Sequence, residues 1–255
     1  MKLLICMPVF NRKKITELSL KNLQKYKRDS TLWVFNDWST EYDNDFIEPY
    51  CDKVFKLDVS KLPVVGNEAN LKGMGVQHLR WYQLRLFLKT DYDALYFTDN
   101  DAIHDPDFLD VINDMPKENP ISLYNSCLYG RDYTGPTKHL DKKLSLEEVT
   151  GFYATRYAGG ISHFYTREMV EVVVRILDSR PKDPDYSWDY EMLDMLNKKI
   201  CITKTSYVEH FGAGGLHSGH EDFTHDRAIA PTGYLQNIRQ PIVDYLLGHG
   251  PRPEI

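Results

Sequence analysis

No apolar run in this 255-residue chain approaches the length of a membrane span, so no transmembrane segment is expected. The first apolar stretch, residues 3–10, is interrupted by Pro8 and carries no cleavage-site pattern, which argues against a secretory signal. Basic charge is not in surplus: the net charge of −6 offers no electrostatic footprint for nucleic acid. Cysteine is sparse. Cys6, Cys51, Cys127 and Cys201 are far apart and form no Cys-x-x-Cys pair, and Cys6 and Cys201 sit in apolar, strand-like runs, so buried thiols in a reducing, cytoplasmic setting are expected. Internal repeats and low-complexity tracts are missing too. What remains, 42% hydrophobic and 27% charged residues, is the mix of a soluble globular protein with a proper core. Length alone permits one large domain or two small ones.

The apolar pattern alternates between strands and helices. Residues 3–8 read as a buried strand, 15–26 as a helix, 31–35 and 54–57 as strands, and 75–88 as a helix with Val76, Leu79, Leu84 and Leu88 near one face. A further strand ends at Asp99. This order predicts a mostly parallel, doubly wound, Rossmann-like α/β sheet flanked by helices. Beyond residue 115 the pattern loosens: strands are expected at 121–124 and 161–165, helices at 167–177 and 188–196. Residues 129–155 read as a long polar loop. The segment from 231 on holds a short apolar helix candidate (Ile242, Val243, Leu246, Leu247), expected to pack on the core.

The most informative stretch is Leu95-Tyr96-Phe97-Thr98-Asp99-Asn100-Asp101. An apolar run without alternation reads as a strand buried on both faces, and it ends in two carboxylates two residues apart. In an extended chain Asp99 and Asp101 project to one side, where they repel unless a cation lies between them. Hard oxygen ligands suit Mn²⁺ or Mg²⁺, and ligands of open α/β sheets collect at the carboxyl ends of strands. The plain alternative is turn or capping chemistry. The next helix, however, has its own start signal in Asp105-Pro106-Asp107.

Two other loops are expected on the same edge: Pro8-Val9-Phe10-Asn11-Arg12 after the first strand, and Phe35-Asn36-Asp37-Trp38-Ser39-Thr40 after the second. Asp37 can accept a hydrogen bond from a base or ribose, although Ser39 or Thr40 capping the following helix accounts for the loop equally well. Lys72-Gly73-Met74-Gly75 precedes a helix carrying Arg80, where glycines permit close backbone approach and a helix start favours negative charge.

In this order the motifs resemble the nucleotide-sugar half of family 2 glycosyltransferases with the GT-A fold, closely over residues 1–110 and more loosely to about 215. The resemblance implies a single catalytic domain over 1–230, with a nucleotide-sugar half (about 1–110) and a mixed acceptor half (about 111–230), followed by a tail at 231–255. It assigns Asp37 to the uracil of a UDP-sugar and Asp101 to the metal, with Asp99 in the ribose or metal shell. Pro8, Phe10, Asn11, Arg12, Gly73, Arg80 and Asn100 join the donor site. Asn36 and Trp38 stand where the family usually has Asp and Gly. The Gly159-Gly160 pair resembles the family's acceptor-lining glycines, with Trp188 beside them, and Ser187-Trp188-Asp189-Tyr190-Glu191-Met192 resembles the acidic motif that carries the catalytic base.

Helix geometry separates the two acids of that motif. Asp189 shares its face with Met192, Leu193 and Leu196, whereas Glu191 shares one with Asp194, Met195 and Lys198, so Asp189 points inward. Favourable charge at a helix start is the plain explanation for an acid there, but it does not explain the inward face. His210 follows the apolar Tyr207-Val208 where some relatives complete the metal shell. His217, His220 and His225 suit phosphate, acceptor or solvent. The resulting expectation is an inverting, metal-dependent transfer of a hexosyl or deoxyhexosyl group to a glycan, glycoprotein or glycolipid hydroxyl. A sugar nucleotidyltransferase and a non-catalytic nucleotide-sugar-binding module are the alternatives.

Overall fold

The computed structural model describes residues 1–56, 75–126, 147–149, 151–184, 187–212, 223 and 227–255. Gly73, Cys127, His217, His220 and His225 lie outside them. Strand β1 (Leu3–Val9) alternates between two cores: Leu3, Ile5, Met7 and Val9 face one apolar cluster, Leu4 and Cys6 the other. A strand so placed is apolar on both faces, which is why its sequence shows no period of two. Helix α1 (Lys13–Tyr26) buries Leu20 and Leu23 on the first side, helped by Ile47 of α2 (Asn44–Ile47). On the second side, α3 (Val76–Phe87) buries Leu79, Trp81, Leu84 and Phe87. Each such side chain contributes about 1.5–3 kcal/mol on leaving water.

Strands β2 (Thr31–Asn36), β3 (Lys53–Lys56) and β4 (Ala94–Thr98) complete a parallel run in the order β3-β2-β1-β4. After β4 come β5 (Ala102–His104), α4 (Phe108–Asp114), β6 (Ile121–Ser122), β7 (Glu147–Val149) and β8 (Phe152–Thr155). Then follow β9 (Ser162–Thr166), α5 (Arg167–Asp178), α6 (Trp188–Leu196), β10 (Ile200–Thr203), β11 (Val208–His210) and α7 (Gly233–Leu247). The nine-stranded sheet runs β3-β2-β1-β4-β9-β6-β10-β8-β7.

This order corrects the expected mostly parallel, Rossmann-like GT-A sheet. Strand β9 runs antiparallel to both β4 and β6, and β8 runs antiparallel to β10 and β7. Outside the β3-β2-β1-β4 run, β6–β10 is the parallel pair. The fold is α/β but its sheet is mixed, with four antiparallel pairings among eight in the described residues. A strand's residues encode its burial and not its direction, so the apolar run at 161–165 is silent on this point.

Smaller differences have local causes. Asp43, not Ser39 or Thr40, caps α2, accepting from the Phe46 N–H. Helix α4 begins at Phe108, because Asp105 accepts the Asp107 N–H and closes a turn instead. Strands β7 and β8 stand within the stretch read as a loop. Helix α7 is 15 residues long and contains Pro241; it buries Leu235 and Ile242 against Ile15, Leu18 and Ile103. Among the described residues, no helix is long and apolar enough to cross a membrane.

Candidate functional site

The first two loops are stitched to each other. The Asn11 Oδ1 atom accepts from the Thr40 N–H at 2.7 Å, and the Asn11 N–H donates to Ser39 Oγ at 3.0 Å. The Asp37 N–H donates to the Val9 carbonyl at 2.9 Å, and its buried carboxylate accepts from the Gly75 N–H at 3.0 Å, which ties the end of β2 to the start of α3. Gly75 needs its freedom here: its φ is +77°. Asn11 is therefore a scaffold residue of the edge, and so is Asn100, whose amide donates to Thr16 Oγ1 at 2.8 Å. Pro8 lies within β1 and Phe10 just beyond it, both half-buried.

Asp101 is buried between Arg12 and His210. Its Oδ2 lies 2.5 Å from Arg12 Nη1 and 3.3 Å from His210 Nε2, while Arg12 Nη2 donates to the Phe211 carbonyl at 2.5 Å. Burial pushes the Asp101 carboxyl up, but His210 and Arg12 outweigh it and hold the group well below the ordinary range. Asp99 points elsewhere, accepting from Arg80 Nη2 at 2.8 Å; burial against that pairing pushes it up to about 6. The segment is set from below by β5, whose His104 exchanges two hydrogen bonds with the buried Asn22 amide at 2.8 and 2.9 Å.

This geometry corrects the metal reading of Asp99 and Asp101. The two carboxylates are turned to different arginines, and among the described residues no group of three or more His, Cys, Asp or Glu is placed to hold a metal ion. Asp101 and His210 do meet, and Asp101 Oδ1 is buried with no hydrogen-bond partner among the described residues. With the Arg12 guanidinium against the other oxygen and Asp99 committed to Arg80, these residues do not fit a resident cation.

Arg80 is also displaced from its expected place. It is fully buried, donating to the Cys6 and Thr98 carbonyls at 3.3 and 3.1 Å, so it is not available to a diphosphate. Its sequence position carried the signal: it lies four residues after Val76 and four before Leu84, on the apolar stripe.

On the other half, Asp189 stands in the first turn of α6, with the Tyr190 N–H donating to it at 3.0 Å. Met192 and Leu193 of the same helix are buried, whereas Glu191 pairs with Arg180 at 3.2 Å. The Asp189 side chain keeps an opening to solvent, yet the protein crowded around it pushes its carboxyl up to about 7. The Tyr190 and Gly160 N–H groups pull the other way, and the Asp99 charge adds to the rise. Gly160 and Trp188 are in contact, because a Cβ on Gly160 would collide with the Trp188 indole. Gly159 adjoins them, with its backbone bonded to the buried His163. His163 and Tyr165, joined at 2.9 Å behind Trp188, have no motif in the sequence to announce them.

Four non-glycine residues of this region hold left-handed backbone: Asn11 (φ 50°), Arg12 (φ 60°), Trp38 (φ 66°) and Ser187 (φ 31°). Such conformations cost about 1–3 kcal/mol each and concentrate where function over-determines the backbone.

No protein-family model and no curated protein matches this chain. A solved structure described as "Crystal Structure of a Mycobacterial Protein" is similar in fold, with a TM-score of 0.50 and 15% identity over 79% of this chain. The chain spans 64% of the length of that structure.

Proposed function

We propose that this chain is an inverting glycosyltransferase that moves a hexosyl or deoxyhexosyl group from a UDP-sugar to an acceptor hydroxyl. The observation that carries the reading is Asp189. It is a carboxylate in a crowded setting with its midpoint at about 7, beside Gly160 and within the electrostatic reach of Asp99. A general base works best when its midpoint lies near the operating pH. In the proposed step the acceptor oxygen forms a bond to the anomeric carbon and its proton passes to Asp189. The anomeric bond to the diphosphate breaks, and its electron pair leaves on the diphosphate. One displacement inverts the centre, by the logic that separates inverting from retaining glycosidases. Asp37 supplies an acceptor for the base.

A glycan, glycoprotein or glycolipid is the acceptor class this reading carries. Cys6, Cys51 and Cys201 are free thiols, which suits a reducing, cytoplasmic setting. Incubation with a panel of nucleotide-sugars tests the proposal. Slow release of UDP that disappears in Asp189→Asn supports it. Pyrophosphate-dependent conversion makes the chain a nucleotidyltransferase, and binding without turnover makes it a binding module.

A further inference from the structure

Asp99 and Asp189 come from distant parts of the chain, and one run of contacts joins them. The Arg80 guanidinium donates to Asp99 and lies 4.4 Å from the Phe97 ring centroid and 4.9 Å from that of Trp188. The two rings meet edge to face at 5.3 Å. Trp188 in turn fills the space that a side chain at Gly160 would need, and Asp189 is the next residue along. Helix α3 also holds the first N–H of α6. Ser187 makes no side-chain cap, and Gln77 Oε1 accepts from the Trp188 N–H at 2.7 Å in its place. Gln77 and Arg80 are three residues apart and share one face of α3.

We propose that Arg80 and Trp188 are positioning residues that set the donor-side carboxylate and the acceptor-side base as one unit, with Gly160 required as glycine to seat the indole. The proposal rests on the glycosyltransferase reading for its two sides and on the contacts above for their coupling. Only a guanidinium serves: its fork reaches Thr98, Asp99, Cys6 and Gln83 together beside the two rings, which a lysine ammonium cannot reproduce. Coupling of this kind is reciprocal, so disturbing the stack from either end must be felt at the other.

The test is an NMR titration of Asp189 in ¹³C-aspartate-labelled protein, with calorimetry of UDP binding alongside. Asp99 and the Tyr165 hydroxyl are the other titratable groups acting on Asp189, so both are followed. Gly160→Ala displaces the indole and Arg80→Met removes the fork. Each should shift the Asp189 midpoint by at least about one pH unit, Gly160→Ala downward as water reaches the carboxylate, and weaken UDP binding about fivefold or more. Arg85→Met, on the same helix but paired with Asp178 and Asp183, should change neither. If Arg80→Met does not fold, Gly160→Ala and Gln77→Leu decide the matter. An Asp189 titration unmoved in the folded variants overturns the proposal. If UDP does not bind even the unaltered protein, the transferase reading fails while the titration still decides the stack.

Discussion

The Arg12 guanidinium lies 2.5 Å from the Asp101 carboxylate, in the position that the sequence pattern suggests for a divalent cation. A fixed positive charge at this distance competes directly with a metal ion. Arg12→Ala should therefore raise the affinity of the protein for Mn²⁺ by about tenfold or more, because a buried carboxylate that has lost its guanidinium gains from a hard cation. Titration of Mn²⁺ by electron paramagnetic resonance checks this. Equal or weaker Mn²⁺ binding in Arg12→Ala would show that Arg12 does not occupy the cation's place.

Asp37 links β2 to α3 through the Gly75 N–H, so its removal should be felt twice. Asp37→Ala should weaken UDP binding by about 1.5–3 kcal/mol, the range for a hydrogen bond involving a charged group. It should also loosen the start of α3, seen as faster amide exchange at Val76 and Gln77. Unchanged UDP affinity by calorimetry with faster exchange would leave Asp37 as a loop brace alone.

Much of this architecture was legible in the residues, and the misses share a physical cause. Leu4 to Met7 and Leu95 to Phe97 are fully buried, and buried strands declare themselves as unbroken apolar runs. Strand direction and long-range pairing have no such signature. The antiparallel β9 and the β5–β11 ladder, which carries Asp101 toward His210, join residues far apart in the chain. Pro241 hid the length of α7, since proline removes a helical donor and reads as a boundary. Helical period sorts apolar neighbours and so suggests an inward Asp189, yet Asp189 and Glu191 are both half-buried. The partners of Arg80 were not legible, because this buried guanidinium is defined by the Cys6 and Thr98 carbonyls and the Asp99 carboxylate, at the ends of two other segments.

Glu209 on β11 is buried and pairs with Arg239 of α7 at 2.6 Å, while accepting from the Ala228 N–H. Burial raises its carboxyl, against the pull of Arg239. Arg239→Met leaves the charge unpaired and should destabilise the fold by about 3–5 kcal/mol at pH 8. A raised carboxyl favours the folded state when protonated, so the loss should shrink as the pH falls through its midpoint. Urea denaturation at pH 8 and pH 4.5 checks this; an equal loss at both would assign the effect to packing of the arginine stem.

Asp189 offers the sharpest separation of stability from chemistry. Its folded midpoint of about 7 lies above its ordinary value of 3.8, so the folded state prefers the protonated form. That preference supports the fold fully below about pH 4 and is lost as the pH rises to about 7. Above that the crowded charge is a standing cost, on the order of 4 kcal/mol for a rise of this size. Asp189→Asn keeps the shape and removes the charge. It should therefore raise the urea midpoint at pH 8, have little effect near pH 4, leave UDP binding in place and lower sugar transfer by about 10²–10⁴-fold. Glu191→Gln, which breaks only the half-exposed pair with Arg180, should do little to transfer. Loss of transfer in Glu191→Gln with a harmless Asp189→Asn would reverse the assignment of the base. A stability gain in Asp189→Asn without loss of transfer would leave Asp189 a strained structural acid, and the inverting step would need another base.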